Sequence, residues 1–134
     1  MSFRFVDHTG EVEIHVDAAT FGDVYAEAAR ALAALTTDPD DPGGASIDRD
    51  VVVKAPDRDA LLAAFLDEIV FASETTKAIF PDVTITQIGE GELHATLHGR
   101  RVHAVRTPVK AATLHRLRVA PVEGGWSGTV VLDV

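Results

Sequence analysis

Six histidines, at positions 8, 15, 94, 98, 103 and 115, and twenty-one acids are the side chains in these 134 residues best suited to chemistry. Their spacing excludes the common catalytic constellations. His94 and His98 stand four apart, as two helical zinc ligands would. The residues around them read as a strand, however, where such a pair merely shares a face. His15 also falls in a strand and reads as a surface imidazole. Gly10, Gly22 and Gly43-Gly44 have neither the spacing nor the following lysine of a phosphate loop. Neither Ser73 nor Ser127 has the flanking glycines of a nucleophile elbow. The chain has no cysteine, which removes disulfides and thiolate metal sites and fits a reducing compartment. The acidic stretch Asp38-Pro39-Asp40-Asp41 lacks the alternating ligands and distal glutamate of a calcium loop. By residue type alone, Glu11 and Asp133 are surface acids, and spacing does not bring them together.

Charge is distributed unevenly. The net charge of −9 argues against general coating of nucleic acid. Residues 1–92 hold nineteen of the twenty-one acids and six of the twelve basic residues. From Leu93 to Val122 there is no acid, against Arg100, Arg101, Arg106, Lys110, Arg116 and Arg118. That run reads either as a solvated face balancing local acids or as a landing strip for phosphate or an acidic partner surface.

The elements that must position these residues follow from periodicity. Glu11 to Asp17 alternates polar and apolar residues, the mark of a half-buried strand. Thr20 with Asp23 three residues on forms a capping box, and Phe21, Val24, Tyr25, Ala28, Ala31, Leu32 and Leu35 predict a helix over 21–36. Thr37 to Ser46, with two prolines and two glycines, is a loop. Val51-Val52-Val53 centres a second strand that ends before Pro56. Asp57 or Asp59 caps a second helix with Leu61, Leu62, Phe65, Leu66, Ile69 and Val70 along its stripe, running to Phe71 or as far as Ala78. Val83–Ile88 and Leu93–Leu97 predict a hairpin turned by Gly89-Glu90-Gly91. Gly99 to Pro108 reads as basic and irregular, and Val109–Val119 with Trp126–Asp133 as a closing hairpin. Two amphipathic helices cannot cover both faces of six strands. The expected fold is therefore α+β: a two-layer sandwich in which both helices share one face of a mixed, mostly antiparallel sheet, within a single domain over residues 1–134. The N-terminus has no apolar core of a targeting segment, so a cytoplasmic location without membrane contact is expected.

Local patterns along the whole chain resemble the archease family. They are His8-Thr9-Gly10-Glu11, the Ala- and Glu-rich first helix ending at Thr36-Thr37-Asp38, the second helix over Leu61 to Ile69, Lys110-Ala111-Ala112-Thr113-Leu114-His115, and Trp126 followed by Val131-Leu132-Asp133-Val134. The resemblance implies a site for a hard divalent cation (calcium, manganese or magnesium) held by Glu11, Asp133 and the main-chain oxygen of Val134. Carboxylate and carbonyl oxygens are what such ions prefer. This sequence departs from the family pattern at Glu11, where Asp is usual, at Leu114, where an aromatic is usual, and at Gly10, where Ala is usual. The implied function is that of a non-catalytic activator of an RNA-splicing ligase, which joins 3′-phosphate to 5′-hydroxyl RNA ends. The activator promotes guanylylation of the ligase and its multiple turnover, and GTP belongs to that partner. RNA is met only through the ligase, with His8, Arg100, Arg101, Arg106, Lys110 and His115 as candidate contacts to partner or phosphate. The alternatives are a small metal-dependent phosphohydrolase or nuclease using Asp7, His8, Glu11, His115 and Asp133, or a chaperone of an RNA-modification enzyme.

Overall fold

The computed structural model describes residues 1–134. The elements are β1 (Ser2–His8), β2 (Glu11–Ala18), α1 (Phe21–Thr36), β3 (Ser46–Lys54), α2 (Arg58–Thr76), β4 (Ala78–Ile88), β5 (Glu92–Arg101), β6 (Ala111–Val122) and β7 (Gly125–Asp133). Helix α1 begins where its capping residues predict, with Thr20 accepting from the Asp23 amide at 3.2 Å. Asp57 caps α2 by accepting from the Ala60 amide at 2.8 Å. That helix stops at Thr76 because Lys77 takes the left-handed conformation.

The α+β class holds, and every strand pair is antiparallel. The strands number seven rather than six, and they form two sheets, ordered β1-β2-β7-β6 and β3-β5-β4. The extra strand is β1, an edge whose side chains are mostly exposed and so carry a weak alternation. The sheets are separate because residues 102–110 leave β5 without pairing regularly and start β6 against β7 instead. Gly99, Arg100 and Arg101, read above as irregular, belong to β5 and pair with β3 and β4.

Each helix packs against both sheets, α1 on β4 and β2, α2 on β6 and β3. Inward residues Ile14, Val16, Leu93, Leu97, Val130 and Leu132 join the helices in one core. Contact on two sides explains why α2 buries Ala63 and Ala72 as well as its stripe. Edge strand β6 is tied to α2 by side chains. Asp67 Oδ1 accepts from the Ala112 amide and Asp59 Oδ1 from the Val119 amide, both at 2.7 Å, while Arg58 Nε donates to the Val119 carbonyl at 2.9 Å. Tyr25, fully buried, fixes Arg58 in turn by donating to its carbonyl at 2.7 Å.

Candidate functional site

A two-residue turn, Thr9-Gly10, joins β1 to β2, with Gly10 supplying the positive φ of 73°. It sets His8 opposite Glu11. On the other side of β2, the antiparallel register sets Glu11 directly opposite Asp133 of β7. Directly opposed residues point to the same face, with Cβ atoms about 5 Å apart. His8, Glu11 and Asp133 therefore form one row on the outward face, at a corner of the four-stranded sheet. The corner is closed by main-chain bonds: Val134 N donates to Gly10 O at 3.2 Å, and Lys110 N to Asp133 O at 2.8 Å. Glu11 is half-buried and Asp133 exposed, and neither takes part in any of the ion pairs of the molecule.

Two opposed carboxylates without a cationic partner repel each other, which fits an oxygen-only site for a hard cation. Glu11 and Asp133 would hold it with main-chain oxygen from Val134. No three His, Asp or Glu side chains converge on a possible ion, so His8 stands in the row without completing a cage.

The remaining sequence candidates fall into two places. Lys110 joins the corner through its backbone, with its side chain exposed, and His115 is exposed on β6 two residues beyond Thr113. The three arginines lie elsewhere. Arg100 is half-buried, its side chain against Gly43, and its Nη1 is buried without a hydrogen-bond partner. Arg101 Nη1 donates to the Thr76 carbonyl at 2.9 Å, at the end of α2. Arg106 is exposed, and its backbone amide donates to Thr36 O at 2.9 Å. Asp41 anchors the intervening loop by accepting from the Gly43, His103 and Ala104 amides, and these bonds, Gly43's foremost, hold its carboxyl below the usual range. Asp7 is opposite Val12, on the face away from His8 and Glu11, so the nuclease constellation is not assembled.

One charged group escaped the sequence reading. Glu13 lies on the outward face, two residues from Glu11, yet it is only 7% exposed. Its carboxylate meets the His15 imidazole and accepts from Arg116 Nε at 2.7 Å. Burial pushes its pKa up, but the bonds from His15 and Arg116 outweigh that and leave it lowered. Position 13 is in the polar phase of β2, and nothing local signals a partner a hundred residues away.

Fold and corner together define a small α+β domain of two antiparallel sheets and two helices that presents a carboxylate pair at the end of the two inner strands of one sheet. The chain belongs to the archease family: the model of the archease protein family matches residues 3–134. Among curated relatives, protein archease of Methanosarcina mazei is 26% identical, covering 98% of this chain and 95% of that protein. Protein archease of Methanopyrus kandleri is 29% identical over the full length of both. The solution structure of protein 1598 of Methanobacterium thermoautotrophicum superposes with a TM-score of 0.71 at 26% identity, covering 98% of each chain. A Thermotoga maritima archease, described as a possible chaperone, superposes with a TM-score of 0.69 at 13% identity, covering 96% of this chain and 94% of that one, and shares the fold. No helix of this chain is long and apolar enough to cross a membrane.

Proposed function

We propose that this protein is a metal-binding accessory factor that activates an RNA-splicing ligase, raising its guanylylation and its multiple turnover while forming no bond itself. The observation that carries the reading is the opposition of Glu11 and Asp133 without a neutralising side chain. A divalent cation relieves that repulsion and gives the corner a fixed charged surface, without a deep substrate pocket. Lys110 and His8 flank the same corner and suit contact with phosphate or with acidic groups of the ligase.

The test combines the cognate ligase with GTP, manganese and RNA ends carrying 3′-phosphate and 5′-hydroxyl. Adding this protein should raise the guanylylated fraction and the turnover number. Glu11→Ala and Asp133→Ala should remove most of the gain and also abolish calcium binding in calorimetry. An unchanged ligase rate under metal-limited, multiple-turnover conditions overturns the reading. Prevention of aggregation of an RNA-modification enzyme, with the ligase unaffected, would instead favour a chaperone.

A further inference from the structure

Between Thr113, opposite Val131, and Arg118, opposite Thr129, β6 has four residues where β7 has one. The four, Leu114 to Leu117, form a bulge. Within it Arg116 adopts a left-handed φ of 53° that a side chain with a Cβ disfavours. The sheet order is β2-β7-β6, so the Arg116 side chain must cross β7 to reach Glu13 on β2. That crossing accounts for Val131, opposite Glu13, being fully buried on a face turned outward.

This construction is not needed to hold the strand, because Asp59 and Asp67 of α2 already tie β6 on either side of the bulge. What it does is present Leu114, which is 77% exposed while Leu117 packs on the core. The bulge lies on the same face as the carboxylate pair. The Glu13–Val131–Thr113 row neighbours the Glu11–Asp133–Ala111 row, roughly 7 Å along the strands. Around Leu114 the exposed basic side chains are Arg116 and Arg118, with the His115 imidazole between them and Leu114 in sequence, and the segment carries no acid. A cost in backbone conformation at Arg116, beside a candidate site and in a strand already held by α2, points to function rather than to folding.

We infer that residues 114–117 are a docking knuckle: Leu114 enters an apolar socket on the partner protein, and the basic side chains beside it meet an acidic rim. Arg116 positions the knuckle through Glu13. The inference rests on the reading that the partner is an RNA-splicing ligase, and it adds the surface by which that partner is held.

The test measures association of the cognate ligase with the wild type, Leu114→Ser, Leu114→Met and Glu13→Gln, with calcium affinity and thermal unfolding of each beside it. Leu114→Ser should weaken association about tenfold or more, as loss of an anchoring side chain does, with calcium affinity and unfolding unchanged. Leu114→Met should restore most of the affinity, and Glu13→Gln should weaken association with Leu114 in place. If Leu114→Ser binds the ligase as tightly as the wild type, the knuckle is overturned while the activator reading stands. If the wild type itself neither binds nor stimulates the ligase, both fall.

Discussion

Glu11 and Asp133 face each other across β2 and β7, 122 positions apart in sequence and adjacent in register. Like charges directly opposed on a sheet destabilise it by about 0.2–1 kcal/mol. Asp133→Asn removes one of them. Without divalent cation, the variant should therefore be at least as stable as the wild type, by up to that amount. With calcium at about a hundred times its Kd, the wild type should gain about 2.7 kcal/mol by mass action and the variant almost nothing. Thermal unfolding with calcium and with chelator checks both halves. A variant less stable than the wild type in chelator shows that Asp133 serves the fold rather than an ion.

Acid should weaken the fold through a small set of carboxyls. Those of Glu13, Asp41 and Glu92 all titrate below their ordinary values. For Glu92 the main cause is the His94 hydrogen bond, for Asp41 the Gly43 amide. A carboxyl that is more acidic in the folded protein than in the unfolded chain stabilises the fold fully above the unfolded pKa, about pH 4, and loses that contribution as pH falls through the folded one. Urea midpoints should therefore drop below about pH 4, and the gap between wild type and Glu13→Gln should narrow on acidification. A gap that stays constant from pH 6 to pH 3 removes Glu13 from the account.

Both helices were legible because their signals are local. Thr20 with Asp23, and Asp57 with its amide partner three residues on, act within one turn. That Glu11 and Asp133 meet was legible only through the family resemblance. Nothing near Glu11 in sequence indicates Asp133, since β2 and β7 pair across nearly the whole chain. The same non-locality hid the division into two sheets and the burial of Glu13 under Arg116. Strand β1 was missed for a different reason: Phe3 and Phe5 give the edge only a partial apolar phase, and Phe5 remains 38% exposed.

The tether between α2 and β6 should be measurable site by site. Asp59→Ala leaves the Val119 amide without its acceptor, and Asp67→Ala does the same to Ala112. Each loss should cost about 1 kcal/mol, the more buried Asp59 bond at the higher end. Hydrogen exchange should quicken at the amide released and at its β6 neighbours, and leave β3 and β5 unaffected. Uniform acceleration across both sheets means the change acts on global stability and not on the edge strand.

The arginines of the basic run should separate into structural and free groups. Arg101→Ala loses a charge-assisted bond to Thr76 O, an open carbonyl at the end of α2, and should cost about 0.5–1.5 kcal/mol. Arg100→Met keeps the stem against Gly43 and removes a buried, unpartnered Nη1, so it should be neutral or stabilising. Arg106 is exposed, and its backbone bond to Thr36 survives substitution, so Arg106→Ala should stay within about 0.5 kcal/mol of the wild type. Urea denaturation ranks the three. Of these side chains, only Arg106 is then available as a free charge for association. Its removal should lower the association rate with the ligase and flatten the salt dependence, with little change in dissociation. If Arg106→Ala instead unfolds early, the segment after β5 is held by that side chain, and the run contributes nothing separable to docking.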